Sequence, residues 1–365
     1  MTLLFTVTND LTYDQRMQRI CGTLSQNGYS VTLIGRSLPH SIPLDDRSFG
    51  QVRLHCRFRK GFLFYAEYNL RLFLFLMKTR CDAVCSIDLD TLPAGCFATL
   101  LRRKKRVFDA HEYFTEVPEV IGRPAVRFFW GMVARWCLPF YRHAYTVGPE
   151  LAKIFKQQYG LEFAVVRNVP AFQPTPTLAV NKQRTTLLYQ GALNVGRGIE
   201  ATLEAMQYLD NVHLLLAGEG DLSDELRRKA VALGVENKVK FLGYVKPDDL
   251  RALTAQAWLG LNLLENRGLS YYYSLANKFF DYVQAEVPVL TMNFPEYRTL
   301  NTEHEVAILL DTLRPEAIAA AIRSLLDDPA TYQRLQTACH AAREVWTWKH
   351  EQEVLLRVWR VVSRG

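Results

Sequence analysis

Short apolar runs alternate with helix-like segments twice along this chain, and this repeated alternation narrows the possible folds. In the first half, residues 3–7, 30–34, 83–87 and 106–109 form such runs, and segments with apolar residues at helical spacing separate them. Strands that alternate with helices in this way form parallel sheets covered by helices. The first half therefore predicts a doubly wound, Rossmann-like α/β domain.

The second half repeats the pattern and predicts a second domain of the same kind. Its apolar runs predict strands at residues 186–189, 212–217, 239–242, 259–264 and 288–292. Two doubly wound parallel-sheet domains would face a central cleft, where ligands bind beyond the carboxyl ends of the strands.

A Pro/Thr-rich stretch separates the two halves, and 365 residues suit two domains better than one. We predict an N-terminal domain at residues 1–172, a linker at 173–184, a C-terminal domain at 185–345 and a final amphipathic helix at 346–365.

Charge is unevenly distributed along the chain. Residues 1–175 hold 23 Lys and Arg against 14 Asp and Glu, so this half carries more than the whole net charge of +7. This excess of positive charge predicts an anionic partner or a membrane surface, or it serves only to keep the protein in solution.

The seven cysteines lie mostly in apolar runs, which favours free thiols in a reducing cytoplasm. We expect a cytoplasmic protein, peripheral on the inner face of the membrane if it binds one, with no nucleic-acid partner.

Glycine-rich turns follow two predicted strands of the second half. Gly191, Gly196 and Arg197 follow the first, and Gly218 and Gly220 follow the second. Glycines let backbone N–H groups approach an anion at a helix N-terminus, and arginine binds phosphate. Taken alone, each glycine-rich turn can also be an ordinary connection between a strand and a helix with no ligand.

Two later segments extend this set. Tyr244 and Val245 follow a third strand, where a base could bind. Ser274 precedes a predicted helix that carries Asn277, and on that helix Lys278 and Asp281 share a face. The lysine can meet a diphosphate and the aspartate can accept hydrogen bonds from ribose hydroxyls; a surface Lys–Asp pair is the alternative.

Polar residues also follow the strands of the first half. They are Asn9, Asp10, Arg16, Asp88, Asp90, His111 and Glu112. In sequence order with the C-terminal motifs, they resemble the retaining GT-B glycosyltransferases of family 4, the glycosyl transferases group 1, over essentially the whole chain. The resemblance implies that His111 contacts the donor sugar or supports charge at the reaction centre. It places the other six on the acceptor side.

For the second half, the resemblance implies a nucleotide-sugar donor site. Arg197 and Lys278 would bind the diphosphate, Asp281 the ribose, and residues 244–245 the base, with the glycines and the 274–277 segment around them. The helix at 346–365 would cross back to the N-terminal domain.

The sequence departs from the family pattern in several places. No glycine pair follows the first strand, and Ala192 replaces an arginine of the C-terminal turn. Tyr273 replaces a glutamate that helps recognise the donor sugar, and Asp281 replaces a longer glutamate. Arg197 and Lys278 would therefore share the diphosphate.

These features predict transfer of a sugar from a nucleoside diphosphate sugar to a glycan or lipid-linked acceptor, with retention and without metal or other cofactor. Asp88-Leu89-Asp90 has the D-x-D form that binds manganese in a different, single-domain glycosyltransferase fold, but here we expect a loop near the acceptor. A nucleotide-sugar 2-epimerase and a non-catalytic sugar-nucleotide-binding protein are the alternatives.

Two segments lie outside these motifs. Residues 61–77 mix aromatic and leucine side chains with a few charges, which predicts a helix in the core or acceptor channel, or one at a membrane interface. The basic run at 102–106 precedes a strand, so it can dock on anionic lipid or remain solvated.

Overall fold

The computed structural model describes residues 1–12, 14–39, 41–172 and 185–364. They form two compact units, one made of Met1–Arg167 with Glu351–Gly365 and the other of Asn168–His350. The predicted linker at 173–184 lies outside the described residues.

The first unit is built on a parallel sheet, with seven strands among its described residues. The strands are β1 (Thr2–Thr6), β2 (Ser30–Ser37), β3 (Gly50–His55), β4 (Ala83–Ile87), β5 (Lys105–Ala110), β6 (His143–Thr146) and β7 (Phe163–Val165). Their order across the sheet is β3-β2-β1-β4-β5-β6-β7, and every pair is parallel. Strands β1 and β4 are almost wholly buried, as expected for the centre of a sheet covered on both faces.

Helices connect these strands. They are α1 (Gln15–Gln26), α2 (Gly61–Lys78), α3 (Asp88–Leu101), α4 (Pro118–Ile121), α5 (Pro124–Cys137) and α6 (Pro149–Tyr159). Short 3-10 turns lie at Phe114–Glu116 and Leu138–Phe140.

The second unit has a parallel sheet of six strands in its described part. The strands are β8 (Thr186–Gln190), β9 (His213–Ala217), β10 (Val239–Gly243), β11 (Leu259–Asn262), β12 (Val289–Met292) and β13 (Ala307–Leu310). Their order is β10-β9-β8-β11-β12-β13. The prediction of two doubly wound parallel-sheet domains is therefore confirmed.

Eight helices surround this second sheet within the described residues. They are α7 (Ile199–Ala205), α8 (Ser223–Ala232), α9 (Pro247–Gln256), α10 (Leu269–Tyr272), α11 (Asn277–Gln284), α12 (Pro295–Glu303), α13 (Pro315–Asp327) and α14 (Pro329–Val345). A 3-10 turn at Met206–Tyr208 extends α7.

The last helix, α15 (Trp348–Arg364), belongs to the first unit from Glu351 onward. Its Trp359 is fully buried, with a ring centroid 5.3 Å from that of Phe5 in β1. The Glu351 carboxylate accepts hydrogen bonds from the backbone N–H and the Nε of Arg167, at 2.8 and 2.7 Å. Within the described ranges, no helix has both the length and the hydropathy that crossing a bilayer requires.

One buried tyrosine ties the centre of the second sheet together. The hydroxyl of Tyr282 in α11 donates toward the carbonyls of Leu188 and Leu261, 2.9 and 3.3 Å away, and accepts the N–H of Gln190. The ring lies against Gly260, where a Cβ would stand 2.4 Å from ring carbons. Glycine is thus required at this point of β11, because the buried ring has no space to move into.

We expect Gly260→Ala to lower the free energy of unfolding by about 1–3 kcal/mol, because the added methyl group overpacks a closed core. Urea denaturation followed by circular dichroism measures this. Gly131→Ala in α5 is the control, since a Cβ there meets nothing within 4 Å and alanine favours helix. Equal stability of the two variants would contradict the packing argument.

Candidate active site

Two glycine turns of the second unit touch each other beyond the ends of β8 and β9. Gly218 has φ +148°, and a Cβ at this position would stand 1.9 Å from the carbonyl oxygen of Gly191. The Gly191 N–H donates to the Ala217 carbonyl at 2.9 Å, and the Gly218 N–H donates to Gly243 at 2.8 Å. At Gly220, a Cβ would stand 2.6 Å from the Leu193 carbonyl oxygen. The turns pack backbone against backbone, which only glycine permits here.

The first of these turns also brings a cation into position. Gly196 and Gly198 have φ of +82° and +69°, and a Cβ on Gly198 would stand 2.0 Å from the Leu263 carbonyl oxygen. Between them, Arg197 holds its guanidinium carbon 4.9 Å from the ring centroid of Tyr271. Its Nε is buried without a hydrogen-bond partner in the described part of the chain. A buried guanidinium N–H without an acceptor is costly, so the position suits an anionic ligand.

Lys278, in the first turn of α11, is the second cation of the site. Its Nζ lies 3.7 Å from the ring centroid of Tyr189, on the β8 strand. Burial and the neighbouring Arg197 hold the pKa of Lys278 well below its usual range, and the opposing effect of Asp281 is smaller. Among the residues that the structure describes, no carboxylate forms an ion pair with Arg197 or Lys278. Two cations on tyrosine faces, beside two glycine turns, form an anion site.

Asp281 is oriented by a buried amide that the sequence did not single out. The Nε2 of Gln190 donates to Asp281 Oδ2 at 3.0 Å, and its Oε1 accepts from Thr254 Oγ1 at 2.8 Å. Gln190 is the last residue of β8 and is almost fully buried. Its only signal in the sequence is its place at the end of an apolar strand, next to the glycine turn.

The remaining residues predicted for the donor have varied surroundings. Tyr244 is 60% exposed, and Val245 is half-buried. Ser274 Oγ donates to the Tyr271 carbonyl at 2.8 Å, and Asn277 Oδ1 accepts from Asn168 at 2.6 Å. Ser274 and Asn277 thus shape the chain around the start of α11.

In the first unit, His111 lies directly after β5 and contacts two carboxylates. Its Nε2 is 3.0 Å from Asp109 Oδ2, and its backbone N–H donates to Asp88 Oδ1 at 2.8 Å. Asp109 is fully buried, and its other oxygen accepts from Arg16 at 3.0 Å. Arg16 also donates to the Val166 carbonyl. Arg16 was predicted on the acceptor side; it lies beneath the surface and supports His111 through Asp109.

These contacts determine the charge of His111. Burial alone would lower the pKa of His111, but the carboxylates of Asp109 and Asp88 outweigh burial and raise it to about 9. Burial would likewise raise the pKa of Asp109, but Arg16 and His111 hold it below its usual range. At neutral pH His111 is therefore a cation that can donate a hydrogen bond and cannot accept a proton.

The Asp88-Leu89-Asp90 segment forms the first turn of α3, not the loop that we predicted, because the helix begins directly after β4 with no intervening residues. Burial raises the pKa of Asp88 well above its usual range and that of Asp90 to about 6. Asp90 Oδ2 accepts from Thr8 Oγ1 at 2.5 Å. Both carboxylates are thus engaged by protein donors.

Asn9 and Asp10 organise the loop after β1. Asn9 Oδ1 accepts from the backbone N–H of Leu11, and Asp10 Oδ2 accepts from Ser41 at 3.1 Å. Leu11 takes a left-handed φ of +70° without being glycine. Glu112 is exposed beside His111.

Residues 175–340 match the family model described as Glycosyl transferases group 1. The second unit is a group 1 glycosyltransferase domain. The chain is 25% identical over 207 residues to the lipopolysaccharide core biosynthesis glycosyltransferase LpsD of Rhizobium meliloti, which covers 54% of this chain and 58% of LpsD. The chain spans between about a fifth and three fifths of the length of the curated relatives it matches.

Several solved structures resemble this chain over nearly its whole length. Sucrose-phosphate synthase from Thermosynechococcus elongatus has a TM-score of 0.80 at 15% identity, covering 100% of this chain and 98% of that one. Anabaena Alr3699/HepE in complex with UDP and glucose has a TM-score of 0.76 at 16% identity, covering 100% and 99%. At such identities the likeness establishes the fold, which is the GT-B fold predicted from the motifs.

In this glycosyltransferase fold, the charge on His111 should be directly observable. Because the folded pKa of about 9 lies above the value of about 6.5 for an exposed histidine, the charge contributes stability. That contribution is fully present below about pH 6.5 and is lost as the pH rises through about 9. A proton NMR titration should give a midpoint near 9 for His111, assigned with His111→Asn, and Asp109→Asn should lower it.

His143 is the internal control for that titration. Burial, Arg142 and Lys105 lower the pKa of His143, so it should titrate below the usual histidine value. If both histidines titrate together near 6.5, the buried Asp109 does not hold a proton on His111.

Proposed function

We propose that this protein is a glycosyltransferase that moves a sugar from a nucleoside diphosphate sugar to an acceptor. The observation that carries the proposal is the anion site of Arg197 and Lys278, two cations held on tyrosine faces beside paired glycine turns. It lies in the unit that matches the group 1 family. A nucleoside diphosphate has the charge such a site needs, and HepE, a structural neighbour, was solved with UDP and glucose.

The site supplies charge stabilisation where the reaction needs it. Negative charge grows on the diphosphate as its bond to the sugar breaks, and fixed positive groups that face this charge lower the barrier. Arg197 and Lys278 act there. Asp281, oriented by Gln190, accepts from the ribose hydroxyls, and residues 244–245 contact the base.

We propose further that transfer proceeds with retention at the anomeric carbon. As an imidazolium, His111 can donate a hydrogen bond to a hydroxyl or an anionic group and does not act as a base. The incoming hydroxyl attacks from the face of the leaving group and passes its proton to the departing phosphate. The acceptor is a glycan or lipid-linked sugar, in line with the role in lipopolysaccharide core biosynthesis that the name of LpsD records.

A thermal-shift screen of nucleoside diphosphates and their sugars tests the donor, because a ligand that binds the folded protein raises its melting temperature. NMR of the best donor, with and without acceptors, then tests the reaction. Conversion to the C2 epimer without an acceptor would indicate the epimerase instead. Tight binding without hydrolysis or transfer would indicate a non-catalytic protein.

Removing either cation should reduce turnover strongly. We expect Arg197→Ala and Lys278→Ala each to lower kcat by about a hundredfold, equivalent to roughly 3 kcal/mol of lost transition-state stabilisation. Steady-state kinetics with the donor found above measure this. Lys349→Ala, an exposed lysine of the same unit outside the donor motifs, is the control and should retain full activity. Loss of less than about threefold for both site variants would contradict the assignment.

Protein charge, not a divalent metal, neutralises the diphosphate in this proposal. Turnover should therefore be nearly unchanged when EDTA is present throughout the assay. If EDTA abolishes turnover and Mn²⁺ restores it, the carboxylates of Asp88 and Asp90 become the first residues to substitute, and the metal-independent account is wrong.

A further inference from the structure

Three helices of the first unit form one outer layer. The connections β3–β4, β4–β5 and β5–β6 all step in the same direction across the sheet. Right-handed crossovers therefore place α2, α3 and α5 on the same face, and α3 packs against both of the others.

This layer is unusually apolar on its outer side. Of the 22 large hydrophobic residues that the described chain leaves exposed, 11 lie in these three helices. The three helices hold only 46 of the 365 residues. Isolated exposed apolar residues are normal on a soluble protein, but such concentration marks a contact surface.

Helix α2 shows the pattern most clearly. It buries Phe64, Tyr68, Leu72 and Leu76 against the sheet. On another face it exposes Leu63, Leu70, Leu74 and Met77, each at least 36% accessible and spaced at helical intervals. The described chain leaves 36–60% of each of these side chains exposed, and the stripe is too rich in leucine to be an ordinary solvated face.

The neighbouring helices continue this surface. Phe97 and Leu101 on α3 are exposed one turn apart, and Phe128 and Trp136 on α5 are exposed two turns apart. The rings of Phe62 and Phe129, both exposed, meet edge to face at 6.1 Å and join α2 to α5.

The charged residues around the exposed apolar side chains of α2, α3 and α5 indicate which kind of partner covers this surface. Residues 57–80, 97–106 and 123–142 contain six, five and four Lys or Arg, respectively, against a single acidic residue, Glu67. The Glu67 side chain is 13% exposed and is paired with Arg71 at 2.8 Å. A second copy of the chain would set these cations against each other, whereas anionic lipid headgroups would attract them.

Not all of the basic residues face outward. Arg102 donates to the Thr79 carbonyl at 2.6 Å, Lys105 donates to that of Val362 at 2.8 Å, and Arg106 donates to that of Phe140. The basic run at 102–106 therefore mainly forms hydrogen bonds to backbone carbonyls within the first unit. Exposed cations that border the apolar stripes, such as Lys60, Lys78, Arg123 and Arg135, remain accessible to an anionic surface.

We propose that the outer layer of α2, α3 and α5 docks on an anionic lipid bilayer, with its apolar side chains in the interface and the basic residues on headgroups. The helices lie on the membrane and do not cross it, as the charges within α2 require.

Tryptophan fluorescence tests the orientation directly. All six tryptophans lie in the described residues, and Trp136 is 65% exposed while the other five are buried. Phosphatidylcholine–phosphatidylglycerol vesicles with brominated acyl chains should quench the wild type and leave Trp136→Phe almost unquenched. Equal quenching of both proteins, or none in either, would overturn the proposed orientation.

Vesicle flotation tests the composition of the surface. The wild type should float with vesicles that contain phosphatidylglycerol and not with pure phosphatidylcholine. Leu70→Gln/Leu74→Gln should reduce recovery at least about tenfold, because two apolar side chains leave the interface. Val231→Gln, which alters an equally exposed apolar residue on α8 of the second unit, should float like the wild type.

Two outcomes overturn the proposal. The wild type could remain in the soluble fraction with both vesicle compositions. Alternatively, ultracentrifugation could show a dimer that Leu70→Gln/Leu74→Gln dissociates while vesicles recover no protein, in which case a second copy covers the surface. Circular dichroism and the thermal shift with nucleoside diphosphate show that each variant remains folded.

Discussion

The contact between two glycine turns determines the geometry of the second unit's site. Because Gly218 carries no side chain, its backbone can lie directly on the Gly191 carbonyl, and the loops after β8 and β9 close over one another. Lys278 approaches the same point from α11, and Arg197 reaches it from the turn before α7. Packed backbone and the rings of Tyr189 and Tyr271 hold the two side chains in these positions.

In the first unit, ion pairs with a buried carboxylate stabilise the charge on His111. A fully buried carboxylate, Asp109, lies between two cationic groups, and its cost of burial is offset by Arg16 on one side and His111 on the other. His111 thus gains a fixed proton and orientation from residues that a substrate does not reach. The charge on His111 is therefore present before any substrate arrives.

The features that are local in the chain could be predicted from the sequence. The strands at the centre of each sheet and the helix of Lys278 and Asp281 follow from apolar runs, helical spacing and turn residues. Four strands were missed: β3 and β13 lie at sheet edges and are partly exposed, and β6 and β7 have only four and three residues. Contacts between residues that are distant in the sequence could not be predicted from local patterns. Gln190 contacts Asp281 across 91 positions, and Arg16 contacts Asp109 across 93.

The depressed pKa of Lys278 makes its site a proton acceptor as well as an anion site. A lysine crowded by burial and by Arg197 gives up its proton more readily than one in water, which relieves the repulsion between the two groups at rest. A diphosphate reverses this balance, since its negative charge stabilises the ammonium form. A bound diphosphate therefore raises the pKa of Lys278, and binding takes up protons wherever the solution pH lies between the pKa of the empty site and that of the filled site.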